Sequence, residues 1–176
     1  MSIIDISEKD KTYFKCYKFE DSSIYYGEVA LIDDKGTVIE DVDAYHDDKA
    51  KLKNIRHGFG VQLFGVNELN CLSKYEGEWK KDKKNGIGNC YFSDGSIYEG
   101  CYVDDHFDGH GKYCWSTNDV YIGEWKCSRM EGDGEFKHND GHILKGKFRN
   151  NYYLDSEVKL LVILTARSLY QPISSK

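Results

Sequence analysis

The chain has 176 residues, a formal net charge of −6, 40% hydrophobic and 14% aromatic residues. Those totals fit one folded domain with a buried core and exclude a uniformly basic nucleic-acid binder. Six cysteines (Cys16, Cys71, Cys90, Cys101, Cys114 and Cys127) form no C-x-x-C pair, and the six histidines add no metal-ligand spacing. Free thiols in a reducing cytosol are therefore expected, with no metal site and no cofactor.

The N-terminus, Met1 to Lys11, has no apolar core of signal-peptide length. Residues 11–19 read as a strand that pairs with the first repeat and caps its edge, so residues 1–24 form an N-terminal capping region. Tyr25-Tyr26-Gly27-Glu28-Val29 opens a first hairpin. Its glycine pair, Gly58-Phe59-Gly60 after His57, comes 33 residues after Tyr25, where the later units need 11. The difference is an insertion, expected as an exposed excursion over about residues 30–56. From Glu20 to Asp48 ten acids stand against the single base Lys35, a balance of −9, so an acidic insert sits on a mildly basic body.

From residue 75 the sequence repeats. Tyr75-Glu76-Gly77-Glu78-Trp79 recurs as Tyr98-Glu99-Gly100-Cys101-Tyr102, as Tyr121-Ile122-Gly123-Glu124-Trp125 and, weakened, as Leu144-Lys145-Gly146-Lys147-Phe148, each 23 residues on. Gly86-Ile87-Gly88, Gly109-His110-Gly111 and Gly132-Asp133-Gly134 keep the same period. Asp94-Gly95 and Asp140-Gly141 close two units, with Asn118-Asp119 aligned to them in the middle unit. Three markers in phase define an array over residues 25–150 with units from 75, 98, 121 and 144.

Each unit reads as two strands. Tyr75, Gly77 and Trp79 share one face and Glu76, Glu78 and Lys80 the other. Lys81 to Asn85 form the predicted turn, and a second strand runs from Gly86 to about Ser93. A strand glycine is costly unless a large group packs over it, and the neighbouring rings are the obvious occupants. One hairpin cannot bury its own face, so the units must stack. The predicted fold is all-β: an elongated, twisted array of antiparallel hairpins with one aromatic, concave side. Residues 151–176 form a terminal cap. Ser156 to Tyr170 reads as a helix carrying Leu160, Leu161, Leu164 and Leu169 or, alternatively, Val158 to Leu164 is the last strand of a fifth hairpin. The apolar run Leu160 to Leu164 is far short of the ~20 residues of a membrane-spanning helix.

The pattern resembles the MORN repeat, named for membrane occupation and recognition nexus: roughly Y-x-G-x-W, a polar turn, H-G-x-G, a strand and D-G. The resemblance covers Tyr25 to about Asn150. The histidine survives only as His57; Asn85, Asp108 and Glu131 replace it, and Tyr102 and Phe148 stand where tryptophan is usual. The resemblance implies a scaffold or adaptor that joins membranes, cytoskeletal structures and partner proteins. The implied setting is the cytoplasm, at the cortex, the cytoskeleton or the inner membrane surface.

No nucleophile elbow, phosphate-cradling loop or paired carboxylates appear, so no catalytic residue is assigned. Asp94 and Asp140 serve turns, and Asp104 and Asp105 lie in a solvated loop. The aromatic row of Tyr75, Trp79, Tyr98, Tyr102, Trp115, Tyr121, Trp125 and Phe148 has two readings: plain packing between units, or a partner site for an apolar helix or extended segment. The C-terminal segment could compete for that row, in cis or from a second copy in a homodimer. The alternative function is a peripheral membrane module in which Lys80, Lys81, Lys83 and Lys84 bind anionic headgroups. The other turns lack such a cluster, which ranks lipid below protein.

Overall fold

The computed structural model describes residues 13–39, 51–65 and 71–154. They form twelve strands in one open sheet and contain no helix. The strands are β1 (Tyr13–Lys18), β2 (Ile24–Ile32), β3 (Val38–Ile39), β4 (Lys53–Leu63), β5 (Leu72–Lys80), β6 (Lys83–Phe92), β7 (Ile97–Val103), β8 (His106–Cys114), β9 (Val120–Lys126), β10 (Arg129–Lys137), β11 (Ile143–Arg149) and β12 (Tyr152–Leu154). Along the sheet each strand pairs antiparallel with the next in sequence, except that β2 pairs with β4; β3 leaves the path and pairs with the far end of β2. The all-β hairpin array expected from the period is therefore the fold.

The turns differ from the reading in one respect. Lys81-Asp82, Asp104-Asp105, Cys127-Ser128 and Asn150-Asn151 all have φ between 47° and 72°. Two consecutive left-handed residues reverse the chain within a two-residue loop whose twist matches that of the strands. The turn is thus Lys81-Asp82 alone, not Lys81 to Asn85, and β6 begins at Lys83. Asn85-Gly86-Ile87 is a bulge in β6, lying opposite Glu78 between the pairs Trp79↔Lys84 and Gly77↔Gly88. The same shift recurs between β2 and β4, β7 and β8, and β9 and β10.

Between units, Asp94 Oδ1 accepts the Ser96 N–H at 2.8 Å and Gly95 has φ 90°. In the middle unit Asn118, at φ 69°, occupies the glycine's place. Thr117-Asn118 therefore aligns with Asp94-Gly95, one residue earlier than Asn118-Asp119; asparagine tolerates the left-handed region.

The insertion is narrower than expected. β2 and β4 stay paired out to Ile32↔Lys53. Val29, Ala30 and Ile55 are buried. The chain then leaves through a turn in which the Asp33 carboxylate accepts the Lys35 and Thr37 N–H groups at 2.9 and 2.8 Å. Replacing residues 33–52 by Asn-Gly removes β3 with its buried Ile39 and should lower the thermal midpoint by several degrees while the first unit stays folded. Replacing 30–56 should instead unfold the first unit, since it removes buried pairing; parallel melts followed by circular dichroism distinguish the two.

β1 pairs with β2 as expected, from Tyr13↔Val29 to Lys18↔Ile24, and is itself the outermost strand. At the other end β11 and β12 begin a fifth hairpin, with Phe148↔Tyr153 in register. The helix-or-strand cap expected after Ser156 lies outside the described residues.

Candidate functional site

Alternation sends the first and fifth residues of each unit to one face of the sheet. There they form a continuous edge-to-face chain: Tyr25–Trp79, Trp79–Tyr75, Tyr75–Tyr102, Tyr102–Tyr98, Tyr98–Trp125, Trp125–Tyr121 and Tyr121–Phe148. Centroids are 4.9–5.7 Å apart and planes cross at 76–90°. Each first-position tyrosine touches the fifth-position ring of its own unit or of the next. Quadrupoles favour this geometry, and the chain ties adjacent units together.

The paired glycines make the seat for each tyrosine. Gly100 faces Gly111 in register. A Cβ on Gly111 would lie 2.3 Å from Tyr98 Oη. The ring therefore lies flat along the strand over bare backbone, and its hydroxyl reaches the carbonyl three residues on. Tyr25, Tyr75, Tyr98 and Tyr121 donate to Glu28, Glu78, Cys101 and Glu124 at 2.6, 2.9, 3.0 and 3.0 Å. Trp79 and Trp125 each donate Nε1–H, to Gly60 O and Gly111 O at 3.3 and 3.2 Å. Burial pushes the phenols of Tyr25, Tyr75, Tyr98, Tyr102, Tyr113 and Tyr121 well above their ordinary pKa of 10.0.

Of the eight rings singled out as a partner site, seven (Tyr75, Trp79, Tyr98, Tyr102, Tyr121, Trp125 and Phe148) are 3% exposed or less; Trp115 is half-buried. The structure brings them together, but against one another. A partner cannot touch the seven without displacing their neighbours.

The turns carry a second ladder that sequence reasoning missed. Asp82, Asp105, Ser128 and Asn151 each accept a backbone N–H from the preceding unit: Arg56, Lys84, Phe107 and Met130, at 2.8, 2.9, 3.2 and 2.8 Å. Their own N–H groups donate back to the carbonyls of the same four residues at 2.9–3.1 Å. The signal was available as a short polar acceptor every 23 residues, at the second turn position. Reading Asp105 as solvated loop hid it.

The four lysines do not form one basic surface. Lys84 is buried 5.6 Å from the Tyr75 ring centroid, with Asp105 at 4.0 Å. Lys83 pairs with Asp104 at 3.5 Å, and Lys81 Nζ donates to Gly36 O at 3.4 Å. Among the described residues no helix is long and apolar enough to cross a membrane.

A further row crosses the same face. The residues paired with the first position of the following unit are Tyr17, Gln62, Cys90, Tyr113 and Phe136. Two residues after each come Phe19, Phe64, Phe92, Trp115 and His138, whose N–H groups all close the next inter-unit turn. In the later units these side chains interlock, Phe92–Tyr113–Trp115–Phe136–His138, with centroids 4.5–5.6 Å apart. The first unit is different. Gln62 stands where the third and fourth units have a ring and the second has the buried Cys90, and an open cavity of about 720 Å³ is lined by Lys18, Phe19, Glu20, Asp21, Ser23, Arg56, Gln62 and Phe64. Arg56 lies 4.1 Å over Trp79, donates to Gln62 Oε1 at 3.2 Å and pairs with Asp82 at 3.3 Å. On the opposite face Phe14, Tyr26, Phe59 and Ile87 are each more than half exposed.

The MORN repeat family model matches residues 52–66, 75–97, 98–120 and 121–143. Alsin from Rattus norvegicus and Alsin from Mus musculus are each 33% identical over 57 residues, which is 32% of this chain. The chain spans only 4% of the length of these curated relatives. Among solved structures, the SAS-4 (dCPAP) TCP domain of Drosophila melanogaster, in complex with a proline-rich motif of Ana2 (dSTIL), is 17% identical. That alignment covers 86% of this chain and 88% of that one at a TM-score of 0.34. Period, hairpin register and repeat matches agree, and the chain belongs to the MORN-repeat family.

Proposed function

We propose that this chain is a non-catalytic scaffold that binds a segment of a partner protein, and that the segment meets the ring face at its first unit. The cavity between Phe19 and Phe64 carries this reading. From Phe92 to His138 interlocked rings cover the face, whereas here apolar walls and polar groups stand open together, as binding sites require. The setting implied by the family is a cytoplasmic assembly at the cytoskeleton or a membrane. The dispersal of the lysines supports a protein partner over anionic lipid.

The test is capture from native lysate on the immobilised full chain, read by quantitative mass spectrometry. Phe19→Ser with Phe64→Ser should lower recovery of the specific partner at least tenfold while the strand signal in circular dichroism persists. Tyr26→Ser with Phe59→Ser, on the opposite face, should leave recovery unchanged. The reverse pattern would move the site to the opposite face. Failure of both pairs to reduce any captured protein would end the protein-binding reading at this end of the sheet.

A further inference from the structure

The repeat itself shows what the cavity lacks. Across the ring face one row runs Tyr17, Tyr25, Gln62, Tyr75, Cys90, Tyr98, Tyr113, Tyr121, Phe136, as the strand registers align them. Gln62 interrupts the rings between Tyr25 and Tyr75, as the small buried Cys90 does between Tyr75 and Tyr98. In the third and fourth units the matching position is Tyr113 or Phe136, each packed against a ring on either side. In the first unit Phe19 and Phe64 are present as the flanking walls, and the ring between them is missing.

We propose that the gap receives an aromatic side chain presented by the partner, which completes the row from outside. This rests on the protein-binding reading above and names the anchor. Three observations select an aromatic over an aliphatic group. Two of the eight lining residues, Phe19 and Phe64, are rings, which favour edge or offset contact with another ring. The guanidinium of Arg56 lies on Trp79 with one face and lines the cavity, so an entering π face meets a cation. Gln62, 2% exposed at the floor, donates Nε2–H to Leu63 O at 3.3 Å and accepts from Arg56 at Oε1, which leaves the second lone pair of that oxygen as the acceptor for an indole N–H or a phenol O–H. The volume accommodates one such side chain and its adjoining backbone. Rigid amphipathic rings lose little entropy on docking and often dominate an interface.

The chain's own rings outside the described residues are Tyr45 and Tyr170, so an intramolecular occupant is a defined alternative. The experiment is titration of the isotope-labelled full chain with indole, with phenol and with cyclohexanol as the non-aromatic control. It is read at the Arg56 Nε–H and Gln62 side-chain resonances. Indole and phenol should shift both with millimolar dissociation constants, and cyclohexanol should bind at least fivefold more weakly. Gln62→Tyr, which fills the gap from the floor, should weaken indole at least tenfold; Gln62→Leu, which removes the amide acceptor without adding a ring, should weaken it by less than Gln62→Tyr does. Equal binding of cyclohexanol, no shift at Arg56 and Gln62, or undiminished binding to Gln62→Tyr would each overturn the proposal. So would indole binding that appears only after Tyr45→Ala or Tyr170→Ala. If indole fails while Phe19→Ser with Phe64→Ser still loses a captured partner, the aromatic anchor is wrong and the protein-binding reading stands.

Discussion

Above pH 10 the protein should unfold cooperatively, with tyrosinate absorbance and loss of strand signal rising together. Six tyrosines are buried on the ring face with their pKa raised by desolvation. Four of them donate their hydroxyl to a carbonyl, a bond only the neutral form can make. In the unfolded chain each returns to about 10 and loses its proton there. The unfolded state then binds fewer protons than the folded one, so stability is intact below pH 10 and falls as pH rises beyond it. Each group contributes about 1.4 kcal/mol per pH unit, so six acting together approach 8 kcal/mol per unit, on the order of the whole stability of a typical domain. Gradual ionisation of all 14 tyrosines with the strand signal retained would show that the hydroxyls reach water without unfolding.

The largest single-site effect is expected at Tyr98. Tyr98→Ala should cost about 3–5 kcal/mol in urea denaturation, the range for deleting a buried large aromatic. Tyr98 is fully buried and joined edge-to-face to Tyr102 and Trp125, with Phe107 stacked on it at 3.7 Å. Gly111→Ala should cost about 1–3 kcal/mol by overpacking, because its new Cβ would fall on the Tyr98 hydroxyl and ring edge. The two should not add. Once the ring is gone, the methyl at residue 111 has room, so the double variant should come out roughly 1–2 kcal/mol more stable than the sum of the two costs implies. Additive costs would mean that the glycine pair serves the backbone alone.

Much of this architecture was legible because the period and the chemistry coincide. Tyr-x-Gly at the head of a unit and Gly-x-Gly in its middle predict a ring over glycines, and the structure places Tyr25, Tyr75, Tyr98 and Tyr121 there. The two glycines of each Gly-x-Gly were indistinguishable in sequence yet do different work. Gly86 sits in the bulge at φ 81°, while Gly88 lies under Tyr75. The turn was overextended because Asn85 and Gly86 look like loop residues, although Lys81-Asp82 already reverses the chain. The depth of burial of the rings was not legible, since alternation gives the face of a residue and not what covers it. Tyr102 is sealed by Tyr75 from the preceding unit, a contact that depends on how units stack. Arg56 and Gln62 stood out in no motif. Their place became visible only when strand register aligned Gln62 with Tyr113 and Phe136.

The order of strands also bears on how the chain reaches this state. Apart from β2 and β4, which are separated by β3 and the insertion, every hydrogen-bonded neighbour on the main path of the sheet is a neighbour in sequence. All-β proteins usually fold slowly because distant segments must find each other. Here loops close over a few residues at a time, so relative contact order is low and the refolding rate should sit nearer that of helical bundles. Residues 75–143, three uninterrupted units, are the natural nucleus, and growth proceeds outward by adding hairpins. The β2–β4 pair must close around the insertion and is the late step. The protein would then pass through a state in which the array is complete from β5 onward while the surface around Arg56 and Gln62 has yet to form.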